Sequence, residues 1–135
     1  MYTYPLHTTG NGLFDVTEEV RRAVAASAVR SGLVTVMAPH TTAGITVYSF
    51  PDPLGLVDMN DEINRLVPTR IDFRHQHDTP QDAAGHIKSA LVGVSQTFLV
   101  EEGQLVLGHS QKIYFFEFDG PRTRQIFVQV LGSPA

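Results

Sequence analysis

The segment from Lys112 to Leu131 sets the expected fold and reads Lys-Ile-Tyr-Phe-Phe-Glu-Phe-Asp-Gly-Pro-Arg-Thr-Arg-Gln-Ile-Phe-Val-Gln-Val-Leu. Its runs 112–118 and 124–131 are rich in aromatic and β-branched residues in alternation, which predicts two strands. The segment 119–122 between them, Asp-Gly-Pro-Arg, is typical of a hairpin turn because Gly and Pro supply the backbone angles that a turn needs.

The rest of the chain alternates between helical and strand patterns. A helix is predicted to start at Asp15 or Thr17, either of which can cap it, and to end at Gly32. Another helix is predicted to start at Asp82, which we expect to cap it. The predicted elements are strands over 2–8, 33–38, 44–48, 95–100 and 104–107 and helices over 15–31, 54–67 and 82–93. This order predicts an α+β fold: a largely antiparallel sheet with two or three helices against it.

Composition bounds the class of protein. The 135 residues form a chain of 14.9 kDa, which predicts a single domain over residues 1–135. The absence of cysteine excludes disulfides, thiolate metal sites and a cysteine nucleophile. A net charge of −4 gives no support for nucleic-acid binding. No apolar run approaches the roughly 18 residues of a membrane span, and no signal peptide is evident, so we expect a cytoplasmic protein without membrane partners.

Five titratable side chains lie at strand ends, in the polar stretch 69–81 or early in the helix after it: His40, His75, His86, Glu117 and Asp119. Three imidazoles are suited to a divalent metal, with a carboxylate completing or orienting the ligands. The same groups are equally suited to acid–base chemistry without a metal. Each histidine taken alone also fits a structural or surface role, so the pattern leaves these interpretations open.

Several separate motifs resemble the YjbQ-like family, whose members are often labelled secondary thiamine-phosphate synthase. The matching segments are 40–45 (His-Thr-Thr-Ala-Gly-Ile), 58–59, 66–68, 85–93 (Gly-His-Ile-Lys-Ser-Ala-Leu-Val-Gly), 103–111 in part and 117–122 (Glu-Phe-Asp-Gly-Pro-Arg). The resemblance implies a mixed, sandwich-like sheet and a homotrimer. An apolar C-terminal strand with Ile126, Val128 and Val130 suits such an assembly.

The resemblance also implies a site built from His and acidic residues. We assign catalytic roles to His86, Asp119 and Glu117, and metal binding to His40, His75 and His86. Zinc or magnesium is the expected cofactor. The implied reaction joins a pyrimidine pyrophosphate to a thiazole phosphate.

Substrate binding is assigned to Arg122, Thr41 and Lys88, because a small anionic ligand needs cations and donors. The family commonly reads Leu-Gly-Thr-Trp-Gln where this chain has His109 and Ser110 in place of Thr-Trp, which removes an aromatic residue.

These predictions define three hypotheses. The first is an enzyme that acts on a small phosphorylated or anionic molecule, resembling thiamine-phosphate synthase. The second is a metal- or ligand-binding homotrimer without turnover of its own. The third is a structural module whose histidines only complete hydrogen bonds at subunit contacts.

Overall fold

The computed structural model describes residues 1–134 and confirms the α+β class, with three helices packed on two sheets. The elements in chain order are β1 (Tyr2–His7), β2 (Gly12–Asp15), α1 (Thr17–Ser27), β3 (Ser31–Met37), β4 (Ala43–Ser49), α2 (Pro53–Leu66), α3 (Pro80–Val92), β5 (Ser95–Glu101), β6 (Gln104–Leu105), β7 (Gln111–Glu117) and β8 (Thr123–Ser133). Among residues 1–134, no helix combines the length and apolar character that crossing a bilayer requires.

The strands form a five-stranded sheet in the order β1-β8-β3-β5-β6 and a three-stranded sheet in the order β2-β7-β4. All strand pairings within residues 1–134 are antiparallel. The expected hairpin of β5 and β6 is present, with Val100 opposite Leu105. The short strand β2, which no pattern predicted, adds an edge to the smaller sheet.

The predicted hairpin of β7 and β8 is wrong, because these strands lie in different sheets. The reason is the burial of β7 on both faces. Phe115 belongs to the main core between the sheets, whereas Phe116 and Phe118 pack with Ile63 of α2. A strand that is apolar on both faces needs cover on both sides, so β7 is the central strand of the smaller sheet. The segment 119–122 carries the chain from one sheet to the other.

Two helix boundaries also differ from the predictions. Helix α1 ends at Ala28, which adopts the left-handed conformation (φ 60°), and Gly32 lies in β3. A side chain at Gly32 would place its Cβ 2.0 Å from the carbonyl oxygen of Leu131, so this glycine serves the close approach of β3 to β8. Helix α3 is capped by Thr79 rather than by Asp82, whose amide donates to the Thr79 hydroxyl at 3.1 Å.

One face of strand β8 is apolar and packs against the core of the same chain. Ile126, Val128 and Val130, the residues we had associated with a trimer, are buried between the sheet and α1. They are therefore not available to another subunit. The opposite face of the same strand presents Leu131, which is 64% exposed.

A buried ion pair joins the two sheets near the segment 119–122, where the chain crosses from the smaller sheet to the larger one. Glu117, at the end of β7, is fully buried and accepts from Arg124 Nε of β8 at 2.8 Å, with Arg124 Nη2 on its other oxygen. Thr8, just after β1, donates to Glu117 at 2.8 Å, and Arg124 donates to the Thr42 hydroxyl at 2.7 Å. Burial raises the pKa of Glu117, but the hydrogen bonds from Arg124 and Thr8 more than offset this, so its pKa lies below the ordinary value.

We expect Glu117→Gln to lower the free energy of unfolding by about 3–5 kcal/mol at neutral pH, because it leaves the Arg124 charge buried and unpaired. Since the pKa of Glu117 is lowered in the folded state, its contribution is complete above the ordinary value of 4.5 and is lost as pH falls through the folded-state pKa. The difference in the free energy of unfolding between wild type and Glu117→Gln should therefore become smaller at acid pH. Urea unfolding at several pH values measures it, with the exposed Glu101→Gln as control. A gap below about 1 kcal/mol near neutral pH would contradict the assigned role.

Candidate metal and anion site

The candidate site lies where the polar loop before α3 returns to the first turns of that helix. Thr79 takes the capping position, so the carboxylate of Asp82 is left for other contacts. Asp82 and His86 are four residues apart on α3, which places both side chains on one face of the helix. The loop brings His75 to the same face.

Three side chains converge at this point. The Nε2 atoms of His75 and His86 lie 3.1 and 3.0 Å from the same oxygen, Oδ2 of Asp82. The two imidazole rings meet edge to face with their centroids 5.1 Å apart. One ligand atom from each residue lies within 4.8 Å of the others. Ligands about 2 Å from a tetrahedral ion are roughly 3.3 Å from one another, so this spacing fits the coordination of one small cation.

The position of the proton on His86 also favours the binding of a cation at this point. Its Nδ1 lies 3.0 Å from the backbone carbonyl oxygen of Thr41, an atom that only accepts hydrogen bonds. The Nδ1 atom therefore carries the proton, and the lone pair of a neutral His86 is on Nε2, facing the Asp82 carboxylate. Two acceptors at 3.0 Å require a proton or a metal cation between them.

The charge of the site is set by Asp82, which is 8% exposed. Burial raises the pKa of its carboxyl group, but the hydrogen bond from His75 and the charge of His86 outweigh that effect. The resulting pKa lies below the ordinary value. Asp82 is therefore ionised at neutral pH and offers one negative oxygen beside two imidazole nitrogens. This is a donor set that zinc prefers.

Close packing fixes α3 in place beneath the site. A Cβ built on Gly85 would lie 3.2 Å from the side chain of Thr42 and 3.4 Å from the carbonyl oxygen of Phe118, so the helix approaches the ends of β4 and β7 closely. Ser89 donates to the carbonyl oxygen of Ala43 at 2.7 Å. With the bond from His86, two side chains of α3 thus bind the backbone that leads into β4.

Three clefts border the cluster. A polar cleft of about 340 Å³ contains Asp82 together with Asp78, Arg122 and Arg124. A second, of about 460 Å³, contains His86 and extends along α3, and a third, of about 260 Å³, contains His75. Each of the three clustered side chains therefore faces a cleft that a small molecule could enter.

His40 is not brought into the cluster. Its Nε2 lies 3.1 Å from both the amide nitrogen and the carbonyl oxygen of Gln125, so this atom is bound to the backbone of β8. Burial and the nearby charge of Arg124 lower the pKa of His40, which keeps it neutral at pH 7. It lines the polar cleft and the cleft beside His86. The third residue of the cluster is therefore Asp82 and not His40, which the sequence analysis assigns to the metal.

The two acidic residues of the last motif have different partners. Glu117 is enclosed in its ion pair with Arg124, which favours a structural role. Asp119 is 7% exposed, and both its oxygens are bound: Gln81 donates to Oδ1 at 3.1 Å and Arg122 to Oδ2 at 2.8 Å. Within the described residues, neither carboxylate has an oxygen without a hydrogen bond.

The predicted substrate-binding residues also separate. Arg122 and Thr41 line the polar cleft. Lys88 is 2% exposed, and its ammonium group donates to Asn64 of α2 at 2.6 Å, outside the three clefts that border the cluster. Burial lowers the pKa of Lys88. Its position favours a role in packing α3 on α2.

Sequence reasoning missed Asp82 and Gln81 as site residues, although the position of Asp82 carried a signal. Thr79 and Asp82 have the spacing of a capping box, in which the threonine caps and the acid three residues later is inside the helix. Asp82 and His86 have the four-residue spacing of paired ligands on a helix. The Gln81 contact depends on the tertiary approach of the segment 119–122.

The sequence and fold were compared with those of known proteins. Residues 3–133 match the family described as UPF0047 protein YjbQ-like. UPF0047 protein YugU of Bacillus subtilis is 39% identical over 127 residues, 93% of each chain, and UPF0047 protein MJ1081 of Methanocaldococcus jannaschii is 39% identical over 90% of this chain and 86% of its own. A crystal structure of a YjbQ/UPF0047 protein from Clostridium acetobutylicum superposes with a TM-score of 0.92 at 39% identity, over 97% of this chain and 100% of that one. The chain therefore belongs to the YjbQ/UPF0047 family.

Proposed function

We propose that His75, Asp82 and His86 bind a zinc ion and that the protein is an enzyme acting on a small phosphorylated or anionic molecule beside it. The observation that carries the proposal is the pair of acceptors at His86 Nε2 and Asp82 Oδ2, which a cation would satisfy. Three protein ligands leave the fourth position of a tetrahedral ion open, as catalytic zinc sites do.

The two imidazoles favour zinc over magnesium, which prefers carboxylate, carbonyl and water oxygens. Thr41 orients His86 through its carbonyl oxygen, in the manner of the outer partners of zinc-bound histidines. A bound zinc ion would supply a Lewis acid and lower the pKa of a coordinated water. Asp82 would remain ionised and hold both rings at one point.

Arg122 is the side chain we assign to the anion. Its side chain is 46% exposed and lines the polar cleft that also contains Asp82. The other arginine of that cleft, Arg124, is neutralised by Glu117. An anionic group that enters the cleft would meet the guanidinium of Arg122 on one side and an ion bound at Asp82 on another, which suits a small substrate with one phosphate or carboxylate group.

The metal proposal predicts one zinc ion per chain in the purified protein after zinc loading. We expect Asp82→Asn and His86→Ala to weaken zinc binding by about 10-fold or more, because each removes one of the three proposed ligands. Calorimetric titration and elemental analysis measure this, with the exposed His109→Ala as the matched control. Wild-type protein that binds no zinc, or variants that bind it unchanged, would refute the site.

The activity proposal predicts turnover that depends on the site. Hydrolysis of simple phosphate monoesters, which carry one phosphate group, is the first assay. Thiamine phosphate formation, in which a thiazole phosphate displaces pyrophosphate from the pyrimidine, is the second, as the reaction that the family resemblance implies. His86→Ala should reduce the rate by roughly 100-fold because it removes a metal ligand, and Arg122→Ala should raise KM by roughly 10-fold through lost anion binding. If any turnover detected is equal in wild type and both variants, the enzyme proposal fails.

The alternative proposal is a metal-binding homotrimer without turnover of its own, and one surface favours its assembly. The register of the larger sheet places Leu33 between Leu131 and Leu99 on adjacent strands. These leucines are 46%, 64% and 61% exposed, and Val106 continues the row at 45%. We propose that copies of this chain bury this leucine row, because aligned apolar side chains on a sheet face are costly to leave in water.

Assembly through the leucine row predicts that Leu131→Glu or Leu99→Glu converts the protein to a smaller species. Light scattering coupled to size-exclusion chromatography gives the mass, and Leu54→Glu on α2, at a leucine that is 69% exposed, serves as the matched control. We expect a mass of three chains for wild type and control. A monomeric wild type would rule out the trimer, and a trimer that survives both substitutions would place the contact elsewhere.

A further inference from the structure

The segment that joins the two sheets is clamped to α3 by one glutamine. Gln81 Nε2 donates to Asp119 Oδ1 at 3.1 Å and to the carbonyl oxygen of Gly120 at 3.3 Å. Gln81 directly precedes Asp82, so the same helical turn carries a proposed metal ligand and this clamp. The loop and the cluster are therefore held in a fixed relation by side-chain contacts.

Asp119 in turn holds Arg122 through two hydrogen bonds. Its Oδ2 accepts from Arg122 Nη2 at 2.8 Å, and its backbone carbonyl accepts from Arg122 Nε, also at 2.8 Å. These two bonds occupy one edge of the planar guanidinium. Nη1 has no hydrogen-bond partner among residues 1–134, while the side chain borders the cleft that contains Asp82.

We propose that Gln81 and Asp119 are positioning residues that fix Arg122 so that Nη1 binds a single phosphate group of the substrate. The inference rests on the proposed function for the placement of that phosphate beside the metal, and it adds the device that orients the arginine. A guanidinium already held on one edge loses less conformational entropy when it binds an anion than a free side chain does.

The charges of the cleft favour a ligand with one phosphate group over a pyrophosphate. Arg122 is paired with Asp119 and Arg124 with Glu117, while Asp82 and Asp78 add negative charge to the lining. A bound zinc ion would bring the net charge of these side chains and the ion close to zero. A pyrophosphate would need more positive charge than these side chains provide, whereas one phosphate group can bind to the ion and to Nη1 together.

A double-mutant cycle on phosphate affinity tests the proposal. Inorganic phosphate is titrated calorimetrically into zinc-loaded and into metal-free wild type, Gln81→Leu, Arg122→Ala and the Gln81→Leu/Arg122→Ala double variant. Gln96→Leu is the matched control, because Gln96 makes one comparable bond, to the carbonyl oxygen of Ile45, and lies outside the clefts around the cluster. Zinc affinity is measured separately for each protein.

We expect Gln81→Leu to weaken phosphate binding about three- to ten-fold. The zinc affinity of this variant and the phosphate affinity of the Gln96→Leu control should stay at the wild-type level. In the Arg122→Ala background, Gln81→Leu should have no further effect, because its contribution passes through that arginine. A merely structural glutamine would instead give the same loss in both backgrounds.

An additive loss, no loss in the single variants, or a wild type that does not bind phosphate overturns the inference. Its failure is distinguishable from that of the proposed function. Coupling between Gln81 and Arg122 in a protein that binds no zinc refutes the metal site and supports the clamp. Zinc binding without this coupling refutes the clamp alone.

Discussion

The arrangement of the molecule depends on the buried ion pair between Glu117 and Arg124. The pair joins the central strand of the smaller sheet to β8 of the larger one, and Thr8 and Thr42 complete its hydrogen bonds. A buried charge without its partner is strongly destabilising, so these segments must meet at one place in the folded state. Arg124 and Thr42 border the polar cleft as well. The constraint that joins the sheets therefore also shapes one wall of the candidate site.

The candidate site is built on that frame by α3. Gly85 lets the helix approach Thr42 and Phe118, and His86 and Ser89 bind the backbone before β4. The bond from His86 has a second consequence, because it leaves Nε2 facing the carboxylate of Asp82. The packing of α3 and the proposed metal binding thus involve the same imidazole.

The last motif contains two acid–arginine pairs with different consequences. Glu117 and Arg124 are both buried and paired with each other, so this ion pair serves to hold the two sheets together. Asp119 is buried but Arg122 is half-exposed, so the second pair presents one edge of a guanidinium to the cleft. The difference arises because Glu117 ends a strand covered on both faces, whereas Asp119 lies just beyond it, where the chain crosses between sheets. We infer a structural role for the first pair and an anion-binding role for the second.

By itself, the sequence determined the α+β class, most strands and helices, the β5–β6 hairpin and the family, because local periodicity and motif spacing are properties of short segments. It also singled out His75 and His86. Only the tertiary structure placed β7 and β8 in different sheets, moved His40 onto Gln125 and brought Asp82 and Gln81 into the site. These outcomes depend on which faces are covered and on contacts between residues far apart in the chain. Such contacts leave no periodic signal, so a pattern of apolar residues cannot distinguish a carboxylate that binds a neighbouring arginine from one that is available to a metal.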